Sequence, residues 1–354
     1  MSKFLIEKFK KLKPYVPGEQ PKERKFVKLN TNESPFPPSK KAIELAKKEL
    51  DRLNLYPDPD CRELLSVTAK KLGVSEENII FTNGSDDILN FAFMAYCNDN
   101  TPAIYPEISY GFYPVFADIN NVPKKEIPLK EDFSIDINDY IDQNGTIIIA
   151  NPNAPTGLTV SVNEIEELLK ANRNRIVVID EAYVDFGGES AIGLIKKYDN
   201  LLVTQTFSKS RSMAGARLGY GVASKEIIND LMRIKYSINP YNINRMTAAA
   251  GYGSIIDDEY FVNNCKTIIK NREYATNELI KLGFVTTESK ANFIFAKHDK
   301  IDGKELYLKL KENGVLVRHF DKDRISSYVR ITVGSLSEMQ ILIQTIKNIL
   351  EKAL

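Results

Sequence analysis

The sequence predicts an α/β protein with a mostly parallel central sheet and a second, smaller α+β unit. Short apolar runs, rich in β-branched residues, alternate with helical stretches, and amphipathic segments at 162–171 and 190–198 separate some of them. Continuous apolarity is typical of strands buried on both faces, and alternation with helices indicates parallel pairing. The apolar runs cover residues 79–81, 103–105, 147–150, 176–179 and 201–203.

The segment before this alternation has a different character. Residues 14–38 are rich in Pro, Gly and Asn, which predicts an extended arm rather than a regular element. A helix is expected over 39–53 with Ser39 as its N-cap, because serine there can accept a bond from a free helical N–H.

The pattern changes again after about residue 253, where strands no longer alternate with helices. A long helix is predicted over 259–282, and three strand-like pieces and a final amphipathic helix follow at 292–295, 314–318, 328–333 and 338–350. We therefore divide the chain into an N-terminal arm that joins the small domain, a large domain and a small C-terminal domain, over residues 1–38, 39–258 and 259–354.

Composition and charge exclude several classes of function. The 354 residues are 43% apolar and 27% charged, as in ordinary soluble globular proteins. A formal net charge of +1 gives no reason to expect nucleic acid or an anionic membrane as partner. Three scattered cysteines and two histidines argue against a disulfide framework, a metal site and a Ser-His-Asp hydrolase, and a reducing cytoplasm fits.

The N-terminal segment is not expected to be a targeting signal. Its apolar run, residues 4–6, is too short for a signal peptide, and no stretch approaches the roughly 18 apolar residues of a membrane span. The lysine cluster at 8–13 indicates a solvated face, with a helix on a membrane surface as the alternative.

Two strand ends carry the most specific chemistry, and ligands bind at the carboxyl ends of strands in open α/β sheets. Lys209 follows the run 201–203, and a desolvated lysine loses its proton readily and can form an imine. Asp180 ends the run 176–179, where a buried carboxylate is costly unless it meets a cation. A protonated pyridine nitrogen would be such a cation, and a cap for the next segment is the plainer alternative.

Other residues at the same edge suit a phosphate group. Gly84 and Ser85 open a helix, where free N–H groups and the helix dipole attract an anion, although an N-cap alone would explain them. Thr206, Ser208 and Arg217 could grip one phosphate together. Pyridoxal 5'-phosphate (PLP) needs an amine for its aldehyde, a carboxylate for its ring nitrogen and several hydrogen-bond donors for its phosphate. The carboxylate matters because the ring withdraws electrons best while its nitrogen is protonated.

At these residues the sequence resembles the fold-type I PLP-dependent aminotransferases and, within them, the histidinol-phosphate aminotransferase family, over nearly the whole chain. The blocks that carry the resemblance are 206–209 with 217–221, 180–183 and 329–334. The resemblance implies that Lys209 forms the imine and moves protons, that Asp180 pairs with the ring nitrogen, and that Tyr183 bonds the phenolic oxygen. It implies further cofactor contacts from Gly84, Ser85, Asp86, Tyr110, Thr206, Ser208, Arg217 and, in the neighbouring subunit of a homodimer, Tyr56.

The same resemblance implies a substrate-binding set from the arm and the small domain: Tyr15, Asn32, Asn292, Arg318 and Arg330. The sequence departs from the family at Ala154, where members commonly have an asparagine that bonds the phenolic oxygen. Asn153, one residue earlier, could substitute through a shifted loop, or Tyr183 could hold that oxygen alone.

The expected activity is a two-stage amino transfer between histidinol phosphate and 2-oxoglutarate, with a small-molecule amine and a 2-oxo acid as partners and no metal. A transaminase of aromatic amino acids or of another phosphorylated amine would look much the same. A PLP decarboxylase of the threonine-phosphate type shares the scaffold and also stays open.

Two other classes of protein fit the sequence less well. A Rossmann dehydrogenase is disfavoured because the pairs at 219–221 and 251–253 lack the third glycine of G-x-G-x-x-G. A PLP-fold protein that binds without catalysis is disfavoured because Lys209 and Asp180 are both present.

Overall fold

The structure is a computed structural model that describes residues 2–21 and 24–353. Its strands in chain order are β1 (Val27–Lys28), β2 (Ile79–Thr82), β3 (Ala103–Pro106), β4 (Lys124–Ile127), β5 (Thr146–Ala150), β6 (Val177–Asp180), β7 (Leu201–Thr206), β8 (Gly219–Ala223), β9 (Phe284–Thr286), β10 (Phe293–His298), β11 (Val315–Leu316), β12 (Arg318–His319) and β13 (Tyr328–Thr332). Its α-helices are α1 (Glu7–Lys10), α2 (Lys40–Lys48), α3 (Arg62–Leu72), α4 (Ser85–Tyr96), α5 (Tyr113–Asn120), α6 (Val162–Ala171), α7 (Lys225–Ile238), α8 (Arg245–Ile256), α9 (Asp258–Lys281), α10 (Gly303–Glu312) and α11 (Leu336–Ala353).

Seven strands form the central sheet, in the order β2-β8-β7-β6-β5-β3-β4. β8 runs antiparallel to β2 and β7, and the other neighbouring strands are parallel. Because β8 runs in the opposite direction, its first residue, Gly219, pairs with the last residues of its neighbours, Thr82 and Thr206. The start of β8 therefore lies at the same edge as the carboxyl ends of the parallel strands. The predicted mostly parallel α/β sheet is confirmed.

The middle strands are buried on both faces, as their continuous apolarity predicted. Along β6, Val177 and Ile179 pack into one hydrophobic cluster, whereas Val178 between them packs into another on the opposite face. All three side chains are fully buried, and each contributes roughly 1.5–3 kcal/mol of transfer free energy on this basis. This burial fixes the strand register and sets the polar residues that follow each strand at one edge of the sheet.

The C-terminal part of the chain forms a second unit around an antiparallel sheet of order β12-β13-β10-β9. Its core includes buried residues of α9, α10 and α11. The N-terminal arm joins this unit, because β1 pairs in parallel with β11 and the Leu29 carbonyl accepts a bond from the N–H of Thr332. The domain boundaries at 38/39 and 258/259 stay predictions, and Met1, Lys22, Glu23 and Leu354, which fall within those ranges, lie outside the described residues.

Three predicted elements differ in detail. The helix capped by Ser39 ends at Lys48, and a 3-10 turn at Leu50–Arg52 completes the predicted span. The segment 190–198, where an amphipathic helix was predicted, contains a 3-10 helix at Ala191–Lys196. Gly193 within it is a poor former of α-helix. The strand predicted over 314–318 is two short strands, because β11 pairs with the arm and β12 pairs with β13.

Among the helices of the described residues, none has the length and apolarity that crossing a membrane requires.

Candidate active site

Two adjoining cavities lie between the central sheet, the arm and the C-terminal unit. The sheet-edge cavity, of about 260 Å³, is lined by residues that include Ser85, Asp86, Asp180, Thr206, Ser208 and Arg217. The arm-side cavity, of about 560 Å³, is lined by residues that include Tyr15, Asn32, Arg318 and Arg330. Both cavities are lined by Thr31, Tyr110, Ala154, Tyr183 and Lys209. Lys209 therefore stands where the two cavities meet.

The amine of Lys209 lies just beyond the end of β7. Its Nζ donates to the carbonyl of Thr31 at 3.3 Å and lies 5.9 Å from the centre of the Tyr183 ring. Burial, aided by the nearby guanidinium of Arg330, lowers the pKa of Lys209 from 10.5 to about 8. A substantial fraction of this lysine is therefore neutral near neutral pH, which is the state that attacks a carbonyl carbon.

The carboxylate of Asp180 ends β6 on the neighbouring strand. Tyr113 donates its hydroxyl proton to Oδ2 at 2.9 Å, and Thr204, which pairs with Asp180 in the sheet, donates to Oδ1 at 3.2 Å. Burial raises the pKa of Asp180 to about 6 against the lowering effect of the Tyr113 bond. Since both donors are neutral hydroxyls, a cation entering the cavity would stabilise the charged carboxylate.

The opposite side of the sheet-edge cavity carries groups that suit a phosphate. Gly84 caps α4 with a φ of 82°, and a Cβ there would lie 2.7 Å from Nη2 of Arg217. Arg217 bonds Oδ2 of Asp86 at 3.1 Å and Oγ of Ser208 at 3.4 Å. Thr206 donates to the same Ser208 oxygen at 3.0 Å. A helix N-terminus, two hydroxyls and a guanidinium thus face one space, and such a set of donors is suited to a phosphate.

Two tyrosines stand between the cavities. The hydroxyl of Tyr110 donates to Oδ1 of Asp86 at 2.8 Å, which fixes this ring beside the space between Asp180 and Arg217. Tyr183 is buried, and its hydroxyl accepts a bond from Nδ2 of Asn32 at 2.9 Å. Burial raises the pKa of Tyr183, so its hydroxyl keeps its proton.

The arm and the C-terminal unit bring two cations to the arm-side cavity. Arg330 donates from Nη2 to the carbonyl of Asn30 at 3.2 Å, and its Nε is buried without a hydrogen-bond partner among the described residues. Arg318 donates from Nη2 to the carbonyl of Val16 at 3.1 Å. The remaining donors of both guanidinium groups are placed to bind an anion. Tyr15, at the mouth, stacks on Phe112 with ring centres 4.3 Å apart.

Four residues of the predicted set lie outside the cavity linings: Tyr56, Gly84, Asn153 and Asn292. Asn292 stands behind the site and donates from Nδ2 to the carbonyl of Asn32 at 3.0 Å. Tyr56 is 78% exposed and stacks on Tyr241 with ring centres 4.6 Å apart, so any contact it makes with a cofactor would be in another copy of the chain.

The structure places Asn153 outside the cavity linings, so its contact with a cofactor stays a prediction. Its Nδ2 donates to the carbonyl of Ile108 at 3.0 Å and to the hydroxyl of Thr156 at 3.1 Å, and its Oδ1 accepts from Ser109 at 2.8 Å. The amide is therefore used in holding the loop, and Ala154 lines the cavities in its place.

Three contributors to the site were not predicted from the sequence: Tyr113, Thr204 and Thr332. Tyr113 lies three residues after Tyr110 in the same aromatic segment, which was a usable signal. Thr204 and Thr332 gave none, because their partners are set by sheet register and by a contact across 300 positions of chain.

Comparison with known proteins agrees with this geometry. Residues 24–346 match the family model of the class I and II aminotransferases. The chain belongs to that family and is an aminotransferase, and the predicted fold-type I architecture is confirmed.

Closer relatives narrow the family further. The chain is 48% identical to the histidinol-phosphate aminotransferase of Clostridium botulinum over 353 residues, which cover 99% of this chain and 100% of the relative. It is also 48% identical to that of Brachyspira hyodysenteriae over 355 residues, with the same coverage. The crystal structure of the histidinol-phosphate aminotransferase from Clostridium acetobutylicum superposes with a TM-score of 0.85 at 26% identity, covering 92% of this chain and 99% of that one. The predicted membership of the histidinol-phosphate aminotransferase family is thereby confirmed.

Proposed function

We propose that this aminotransferase moves the amino group of histidinol phosphate to 2-oxoglutarate, with PLP as the cofactor of the sheet-edge cavity. The observation that carries the proposal is the placement of Lys209 and Asp180. Lys209, whose pKa is lowered, lies just after β7, and Asp180, a buried carboxylate, ends the neighbouring strand β6. Both line one cavity. The relatives named histidinol-phosphate aminotransferases support the substrate.

The residues present fit PLP at each of its polar groups. Lys209 supplies the amine for the aldehyde carbon, and Asp180 would hold the proton on the ring nitrogen. Arg217, Ser208, Thr206 and the start of α4 would hold the phosphate. When bound, PLP supplies an electron sink next to the substrate amine.

Lys209 is the residue placed to move the reacting proton. Its amine stands between the two cavities, so it can reach both the cofactor space and the carbon next to the substrate amine. With a pKa of about 8, it can both accept and donate a proton near neutral pH. Tyr113 and Thr204 hold the carboxylate of Asp180 in place, where it would keep the ring nitrogen of bound PLP protonated.

Arg330 and Arg318 would bind the anionic end of the substrate. The phosphate of histidinol phosphate and the distal carboxylate of 2-oxoglutarate are both oxyanions, so one pair of guanidinium groups serves both halves of the reaction. Arg330 and Arg318 both line the arm-side cavity, where such an anion would lie.

We further propose that the enzyme is a cytoplasmic homodimer in which Tyr56 reaches the phosphate of the neighbouring subunit's cofactor. The loop around Tyr56 carries exposed apolar side chains, including Leu53 at 57% and Leu55 at 52%. Arg245 fixes this loop by donating to the Tyr56 carbonyl at 3.0 Å. A second copy would cover these side chains. A reducing compartment suits the three cysteines, which form no disulfide.

The proposal is tested by assaying glutamate formation from 2-oxoglutarate and histidinol phosphate with wild type and Lys209→Ala. The variant should fold and bind PLP without turnover, and Lys225→Ala, which changes an exposed lysine on α7, should retain full turnover. Wild-type turnover in Lys209→Ala would contradict the assignment. Phenylalanine and threonine phosphate are assayed in parallel. Transamination of phenylalanine alone would identify an aromatic amino acid, not histidinol phosphate, as the substrate. Decarboxylation of threonine phosphate alone would identify the enzyme as a decarboxylase.

A further inference from the structure

The polar groups behind Tyr183 form a chain of hydrogen bonds with a fixed direction. Thr332 lies on β13 two residues after Arg330, so both side chains face the same side of the sheet. The backbone N–H of Asn32 donates to Oγ1 of Thr332 at 2.9 Å. The Thr332 hydroxyl then has one proton of its own, which it donates to Oδ1 of Asn32 at 3.1 Å.

This bond sets the orientation of the Asn32 amide. With Oδ1 held by Thr332, the amide nitrogen Nδ2 faces the hydroxyl oxygen of Tyr183 at 2.9 Å. An amide nitrogen carries protons and accepts none, so the Tyr183 oxygen must be the acceptor. The proton of the Tyr183 hydroxyl is therefore left for a different acceptor.

The backbone of Asn32 has a strained conformation, which contacts with its neighbours maintain. Its φ of 55° is left-handed, a region that costs a side-chain residue energy even though asparagine tolerates it best. Asn292 holds its carbonyl, and the side chain is 1% exposed. A strained, buried amide held at several of its polar groups indicates a position with a specific task.

The Tyr183 hydroxyl lies where a ligand in the cavities could accept its proton, because Tyr183 lines both cavities beside Lys209. Ala154 offers no side-chain donor there, and the Asn153 amide is bonded to Ile108 and Ser109. We infer that Thr332 and Asn32 are positioning residues that aim the Tyr183 hydroxyl proton at the phenolic oxygen of the bound cofactor. The inference rests on the proposed function, and it gives this chain one side-chain donor to that oxygen.

The test removes the Thr332 hydroxyl and measures the pKa of the Lys209 imine by absorbance. A donor to the phenolic oxygen weakens the bond between that oxygen and the imine proton, and so lowers the imine pKa. In Thr332→Val the Asn32 amide can turn its oxygen towards Tyr183 and take its proton. The imine pKa should then rise by roughly 0.5–1 unit, which corresponds to the loss of one hydrogen bond.

Two controls separate this role from a structural one. Thr332→Ser keeps the hydroxyl and should keep the wild-type imine pKa. In a Tyr183→Phe background, Thr332→Val should cause no further shift, because the donor that it orients is gone. The charged groups that face Tyr183 (Arg330, Asp180 and Asp86) are the same in every variant.

An unchanged imine pKa in Thr332→Val, or an equal shift with and without Tyr183, would overturn the inference while leaving the proposed function intact. Failure of the wild type to form an imine with PLP would overturn both. If Thr332→Val does not fold, because the N–H of Asn32 loses its partner, Asn32→Asp is titrated in its place, since it keeps that N–H bonded to Thr332 and offers Tyr183 only an acceptor. The imine pKa should then rise more with Tyr183 present than in the Tyr183→Phe background, and an equal rise in both would overturn the inference.

Discussion

Tyr113 donates its hydroxyl proton to Oδ2 of Asp180 across 2.9 Å, and this bond partly compensates a carboxylate that is 4% exposed. Together with Thr204, it keeps Asp180 pointed into the cavity before any ligand is present. The compensation is incomplete, because burial still raises the pKa of Asp180 from 3.8 to about 6. The site therefore holds a carboxylate that a cationic ligand would stabilise, and this has consequences for stability.

Asp180→Asn should stabilise the cofactor-free protein at neutral pH and not at pH 4. The folded protein binds the Asp180 proton more tightly than the unfolded chain, so the carboxylate lowers stability as pH rises through 6. The shift corresponds to a gain on the order of 2–3 kcal/mol for the variant at pH 7–8. Urea unfolding at pH 4 and pH 7.5 checks this, and an equal difference between the two proteins at both pH values would contradict it.

The rate of imine formation between PLP and the cofactor-free protein should rise with pH around a midpoint near 8. The reason is that burial, aided by the charge of Arg330, lowers the pKa of Lys209 from 10.5 to about 8. Arg330→Leu should move the midpoint upward, whereas Arg233→Leu, on the exposed face of α7, should leave it in place. Stopped-flow absorbance gives the profile, and a wild-type midpoint near 10.5 would refute the lowered pKa.

Gly84→Ala should weaken PLP binding, because its Cβ would meet Nη2 of Arg217 at 2.7 Å and its φ of 82° suits glycine. The backbone strain lowers folding stability by about 1–3 kcal/mol. The displacement of Arg217 is what weakens binding, because losing a charge-assisted bond of about 1.5–3 kcal/mol corresponds to roughly a 10- to 150-fold loss of affinity. Gly193→Ala is the matched control, since nothing lies within 4 Å of a Cβ there. Both affinities come from titration with PLP, and equal values for the two variants would mean that Arg217 does not hold the phosphate.

Arg330→Gln should raise KM for histidinol phosphate while leaving the imine with Lys209 able to form. The loss of a charge-assisted bond to an anion amounts to about 1.5–3 kcal/mol, or roughly 10- to 150-fold. Histidinol, which lacks the phosphate, serves as the matched substrate and should be used equally by both proteins when the amine half-reaction is measured without any 2-oxo acid, because 2-oxoglutarate also needs Arg330. Equal losses for the two substrates would show that Arg330 supports the fold of the cleft rather than an anion.

The sequence predicted the strands that are buried on both faces better than it predicted the others. The central strands were recognised from their continuous apolarity, but the edge strand β4 was missed because three of its four residues, Lys124 to Glu126, are charged and exposed. β8 was missed because Gly219 and Gly221 interrupt its apolar pattern. Both segments form strands because they pair with neighbouring strands of the sheet, and this pairing cannot be read from the local sequence.

The residues of the site likewise fall into those that local sequence could place and those that it could not. Lys209 and Asp180 could be placed from one rule about strand ends, which depends on local sequence alone. Thr332 contacts Asn32 across 300 positions of chain, and no local pattern reports such a contact. The bonds between the Asn153 amide and Ile108 and Ser109, which lie some 45 residues earlier, could likewise not be predicted from local sequence.

The central claim is that Lys209 holds PLP and that histidinol phosphate gives up its amine there. The most direct measurement is the absorbance of the PLP-loaded protein when histidinol phosphate is added without any 2-oxo acid. We predict that the imine band disappears and that pyridoxamine phosphate accumulates in proportion to the protein. An imine band that persists with histidinol phosphate and disappears with another amine would contradict the substrate, and the absence of any imine band in excess PLP would contradict the claim itself.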